Sequence, residues 1–162
     1  TYEGYSENPE LVSLLGKNFI LGLQGDGVSF LDEMHILATA KHFLGDGGTD
    51  NGIDQGDTIV NETTLKDIHG LPYYDAVDSC ALSIMASFNS WNGLKSHGHR
   101  YLLMDILKSQ MNFEGFIVGD WNGHGQIEGC EDSNCPDAFN SGVDIFMVPT
   151  EWEGLYLSLI HI

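Results

Sequence analysis

Gly115-Phe116-Ile117-Val118-Gly119-Asp120-Trp121 is the stretch whose reading decides how this chain folds. Its run of apolar and glycine residues shows no polar alternation, which is the pattern of a strand covered on both faces. A carboxylate and an indole follow at once. Parallel α/β proteins place their chemistry at the C-terminal ends of such strands. Asp120 therefore reads either as a reacting carboxylate or as a cap for the next element.

Working outward from this stretch, three more segments read as strands, at residues 38–44, 80–86 and 143–148. Helical patterns separate them. Asn8-Pro9-Glu10 opens the first, Leu11, Val12, Leu14, Leu15, Phe19 and Leu23 form its apolar stripe, and Gly25 stops it. A second helix starts near Asn61-Glu62-Thr63, with a break or kink expected at Pro72. Leu102, Leu103, Ile106, Leu107 and Met111 give a third helix a core stripe, and a short helix is expected over residues 136–140. This alternation predicts an α/β fold with about four βα units and a parallel sheet. The sheet is either small and open or about half of a closed eight-stranded barrel, which takes about 250 residues.

Composition narrows the function. Acidic residues outnumber basic ones 24 to 6 among 162 residues, a formal charge of −18. Such a surface repels nucleic acid and anionic membrane, whereas a neutral glycan meets no such barrier. No stretch reaches the length of a membrane span. Thr1-Tyr2-Glu3-Gly4 carries neither an initiator Met nor a leader pattern and reads as the interior of a longer chain. Cys130 and Cys135 are near enough in sequence for a disulfide, with two free thiols as the alternative. No second Cys/His pair has zinc spacing.

In a parallel sheet the strand ends share one rim. That rim gathers Lys41-His42, Ser87-Phe88-Asn89, Asp120-Trp121 and Val148-Pro149. A carboxylate can attack an anomeric carbon, Lys and His can hydrogen-bond ring hydroxyls, and an indole can stack on a sugar face. Lys41 is expected to attract the Asp120 carboxylate, by roughly 3 kcal/mol at about 6 Å and an effective dielectric of about 20. The alternative for both cationic positions is structural: an ion pair for Lys41 and a core histidine for His42. The loop over residues 46–57 fails as an EF-hand, with Gly48 at the third place and Asn51 at the sixth, and its acids make it a poor phosphate cradle. His97 and His99 lie at a helix start, which disfavours a metal cluster with His124, so neither metal nor cofactor is expected. Trp91 and Trp152 read as packing residues.

Three motifs carry a resemblance: Lys41-His42-Phe43-Leu44-Gly45-Asp46-Gly47-Gly48-Thr49, Ser90-Trp91-Asn92-Gly93, and Gly115 through Trp121. With the opening Tyr2-Glu3-Gly4-Tyr5-Ser6-Glu7-Asn8-Pro9, in unbroken order, they resemble glycoside hydrolase family 3, in its β-glucosidase and β-glucan exohydrolase branch. The resemblance implies a partial (β/α)8 TIM-like barrel: residues 1–156 as a portion of the N-terminal catalytic domain, and 157–162 as an unmatched tail. It implies a retaining, exo-acting enzyme with Asp120 as nucleophile, Lys41 and His42 on the sugar at the cleavage subsite, and Trp121 stacking at the adjoining one. Phe88 stands where many relatives have Tyr, so it keeps the aromatic wall at the substrate and loses one hydroxyl. The implied partners are a β-glucoside or β-glucan oligosaccharide and a C-terminal domain, absent from this sequence, that supplies the acid/base Glu. The piece alone is then expected to be inactive, and a periplasmic or secreted location follows from the resemblance only. Leu44 and Asp46 replace the Pro and second His of the family's N-acetylglucosaminidase motif Lys-His-Phe-Pro-Gly-His-Gly, which argues against that activity. The alternatives are a catalytically silent carbohydrate-binding module and a phosphate-handling barrel enzyme.

Overall fold

Parallel pairing around one central strand organises the chain. The computed structural model describes residues 3–161. Its strands are β1 (Thr39–Phe43), β2 (Asp57–Thr58), β3 (Ser83–Ala86), β4 (Ser90–Trp91), β5 (Leu94–Lys95) and β6 (Phe116–Val118). The α-helices are α1 (Pro9–Gln24), α2 (Glu62–Thr64), α3 (Leu71–Asp78), α4 (Pro136–Asn140) and α5 (Trp152–Leu159). The main sheet has the order β1-β3-β6, parallel throughout, with Ala40 opposite Ile84 and Ile84 opposite Ile117. Helical segments cross between its strands, as an α/β chain requires. A smaller sheet, β2-β4-β5, sits beyond the rim.

The core lies against the face of the sheet that carries Ile84 and Ala86 of β3. Phe43, Ile84, Ala86, Leu103, Leu107 and Ile117 are fully excluded from solvent. Leu102, Leu103, Leu107 and Met111 pack inward as their spacing predicts, on a helix, Tyr101–Gln110, with π-type hydrogen bonding. The Pro72 expectation is met in another form. The chain runs from α2 through a π-type turn, Leu65–Gly70, into α3, with Pro72 in the first turn of α3. Proline is tolerated there because first-turn N–H groups have no helical acceptor.

Two expectations are corrected. The segment 143–148 forms no strand of its own: its ladder is a single parallel bridge, Val118 to Ile145. The Asp144 side chain accepts the Ile117 N–H at 2.7 Å, so a carboxylate replaces the main-chain acceptor that a regular ladder needs. The α1 stripe also faces outward. Leu11, Leu14, Leu15 and Phe19 are exposed, and the residues turned inward are Ser13, Ile20 and Gln24. Gln24 is fully buried because its amide joins α1 to two strand entries. Its Nε2 donates to the Cys80 carbonyl at 2.7 Å, and its Oε1 accepts from Ala38 N at 3.1 Å and Leu82 N at 3.3 Å. The ends of α1 match the sequence. Asn8 Oδ1 accepts the Leu11 N–H at 2.7 Å, and Gly25, at φ 71°, is the stop.

Candidate active site

β1, β3 and β6 point the same way, so their C-terminal ends deliver residues to one rim. β1 carries Lys41 and His42 near its C-terminal end, and the chain then turns on Gly45, whose φ of 100° suits glycine. Asn89 fastens this turn from beyond β3: its Nδ2 donates to the Leu44 carbonyl at 3.1 Å and to Thr58 Oγ1 at 3.0 Å. A cleft of about 760 Å³ opens beside Lys41 and His42, with Glu3, Phe19, Asp46 and Tyr73 also on its walls.

Asp120 leaves β6 just after Gly119, whose N–H donates to the Ile145 carbonyl at 2.7 Å. One carboxylate oxygen, Oδ1, accepts the Trp121 N–H at 2.7 Å. The other, Oδ2, lies 3.4 Å from His42 Nε2. The Asp120 side chain keeps 14% of its surface exposed, enough for one face to meet a ligand. Trp121 is exposed beside it.

Lys41 departs from its expected pairing. Its ammonium meets Glu3 Oε2 at 3.1 Å, and the side chain that reaches Asp120 is the His42 imidazole. The hydrogen bond from Lys41 holds the Glu3 carboxyl below the usual carboxylate range. His42 is ringed by acids: Nε2 also lies 3.8 Å from Glu3, and Nδ1 lies 3.9 Å from Asp46. Lys41 and His42 thus stand between the carboxylates of Glu3, Asp46 and Asp120. Phe88, Asp120 and Trp121 do not line that cleft; the Phe88 ring lies 6.0 Å from that of His97.

Sequence reading missed two members of this cluster. Glu3 lies far from β1 in the chain, and its role rests on a tertiary contact. His97 is 1% exposed, and its Nε2 accepts the Asp120 main-chain N–H at 2.9 Å. A signal for it existed in Gly119 and Gly123 on either side of Asp120. A Cβ on Gly123 would overlap the His97 ring, and one on Gly119 would come within 3.5 Å of it. Glycines in such places often mark close approach by another group. The other two histidines weighed as a metal cluster are engaged separately, His99 stacked on Trp91 at 5.4 Å and His124 beside the Asp132 carbonyl at 2.8 Å.

The turn after Asp120 is anchored downstream. Asn122 takes a left-handed conformation, φ 52°, and its Nδ2 donates to Asp132 Oδ2 at 2.7 Å. Asp132 lies within a loop closed by the Cys130–Cys135 disulfide, which settles the two readings of that pair. Cys80 is a free thiol.

The parallel α/β rim thus brings together a largely buried carboxylate, an imidazole against it and an exposed indole beside it. The sequence profile of the glycosyl hydrolase family 3 N-terminal domain matches residues 1–161, and the chain belongs to that family. It is 41% identical over 127 residues to a β-xylosidase of Formosa agariphila, covering 78% of this chain and 18% of that protein. It is 30% identical over 153 residues to β-glucosidase B of Emericella nidulans, covering 93% and 16%. Among solved structures, the exo-1,3/1,4-β-glucanase ExoP of a Pseudoalteromonas species, as its Q683A mutant, superposes with a TM-score of 0.97 at 48% identity. That match covers 99% of this chain and 26% of that one. A β-glucosidase from Listeria innocua in complex with isofagomine gives 0.86 at 25% identity, covering 98% and 23%. The chain thus spans about a quarter or less of the length of these relatives.

Proposed function

We propose that this chain is the nucleophile-bearing portion of a retaining, exo-acting β-glucosidase or β-glucan glucohydrolase. The observation that carries the reading is the Asp120 carboxylate at the sheet rim, 14% exposed and 3.4 Å from His42. The Trp121 N–H occupies Oδ1 and orients the group, leaving a lone-pair face for an anomeric carbon. Asp120 attacks C1 and forms a glycosyl-enzyme ester. The glycosidic oxygen leaves as an alcohol, taking a proton from a second carboxyl group about 5–5.5 Å away. That carboxylate then removes a proton from water, which attacks C1 and frees Asp120. Two inversions at C1 give net retention. Lys41 and His42 hydrogen-bond the sugar hydroxyls, Trp121 stacks on the neighbouring unit, and Phe88 backs the site from beside the His97 ring.

The second carboxyl group belongs, on this reading, to another part of a longer protein, consistent with the chain's 26% share of the exo-glucanase. Closure of β1, β3 and β6 into a (β/α)8 barrel belongs to the same proposal, supported by the 0.97 superposition. The names of these relatives, a glucanase, a glucosidase and a xylosidase, point to β-linked neutral sugars.

Asp120→Asn in the complete polypeptide tests the reading. Hydrolysis of an aryl β-glucoside should fall by ~10³-fold or more while the fold persists. Substantial turnover in that variant removes Asp120 from the mechanism. Reversible glucoside binding without hydrolysis by the unaltered protein favours a binding module instead.

A further inference from the structure

We propose that His97 is a positioning residue for Asp120, its Nε2 holding the Asp120 main-chain N–H so that the carboxylate keeps a fixed position at the sheet rim beside His42. The inference rests on the nucleophile reading above and goes beyond it.

The geometry is specific. The Nε2 atom must carry a lone pair to accept that N–H, so the ring is neutral with its proton on Nδ1. Nδ1 makes no hydrogen bond of good geometry among the described residues, so the ring's one firm polar contact is the Asp120 main chain. Gly119 and Gly123 leave room for the imidazole, and Phe88 lies beside it. The contact joins positions 97 and 120, from different elements, and it sits one bond from the Cα that bears the carboxylate. Rotation of this peptide would swing the carboxylate off its 3.4 Å approach to His42. A displacement of about 1 Å at a reacting group costs on the order of 10²-fold in rate.

The ring also resists the protonation that would turn its acceptor into a donor. Burial pushes His97 down to about 4, and the charges of His124, Lys95 and His42 act in the same direction. The Ser87 main chain near the ring opposes this, and burial outweighs it.

The test compares two polar variants in the complete polypeptide, because the side chains differ in reach. The Gln amide reaches the Nε2 position, whereas the Asn amide reaches only the Nδ1 position. His97→Asn should lower kcat for an aryl β-glucoside by on the order of 10²-fold, with KM within about threefold. His97→Gln should recover about tenfold or more of that loss. The rate of Asp120 labelling by a 2-deoxy-2-fluoro glycoside should follow the same order. Equal kcat in both variants, or losses that track the thermal midpoint rather than the acceptor, would overturn the proposal. Failure of the unaltered protein to label at Asp120 would instead defeat the nucleophile reading, so the two failures are distinguishable.

Discussion

Mild acid should weaken this fold through His97, and the size of the effect follows from its burial. The ordinary imidazole value is 6.5, and in the fold burial lowers it to about 4. Above the unfolded value neither state binds the proton, and the site contributes its full stability. As pH falls through that value, the unfolded chain gains a proton that the native ring refuses, so stability drops until the native ring protonates near 4. At 1.36 kcal/mol per pKa unit, the full window is worth about 3 kcal/mol, and the fall from about pH 7 to about pH 5 is about 2 kcal/mol. Other groups slope the same way: burial also lowers His69 and His99. His97→Asn supplies the reference, since it keeps those groups and removes this one. Urea unfolding of the complete polypeptide at both pH values, followed at the transition that includes this domain, gives the difference. The unaltered protein should lose about 2 kcal/mol more than the variant over that range. Equal losses would mean that His97 titrates normally and is not the buried neutral acceptor described here.

Other perturbations test separate parts of the structure. Gln24→Leu leaves the Cys80 carbonyl and the Ala38 and Leu82 amides without their partner. At about 1–3 kcal/mol for each buried unsatisfied group, destabilisation of about 3 kcal/mol or more is expected in denaturant unfolding. An effect below about 1 kcal/mol would show that water or a local shift satisfies them. Gly123→Ala drives a methyl into the His97 ring, so kcat for an aryl β-glucoside should fall by about tenfold or more, with a smaller change in KM. Unchanged kcat there would mean that the ring can move without disturbing Asp120.

Local signals in the sequence were read correctly where the physics is local. Asn8 and Gly25 bracket α1 because capping and left-handed geometry depend on a few neighbouring residues. The apolar run before Asp120 reads as a strand and forms one, with Ile117 fully buried and Phe116 and Val118 partly so. What failed depended on distant partners. The α1 stripe is exposed, and the side chains turned inward include Gln24 and Ser13, which hydrogen-bond to Cys80 and Asp75. No hydrophobic pattern announces a buried glutamine whose value lies in its hydrogen bonds. Lys41 reached the expected rim, but its charge went to Glu3, a residue whose approach is set by the fold. The fourth strand dissolved because one carboxylate, Asp144, took a ladder position. His97 drew notice only as a metal-ligand candidate, since a neutral acceptor for a main-chain N–H leaves no composition signal.

The most direct test of the central claim is covalent. The complete polypeptide is incubated with an activated 2-deoxy-2-fluoro β-glucoside, digested, and its peptides are sequenced by mass spectrometry. The account predicts one fluoroglucosyl group, esterified to Asp120 on the peptide that also carries Trp121. A stable adduct on any other carboxylate, or steady hydrolysis of glucosides with Asp120 never modified, would contradict it.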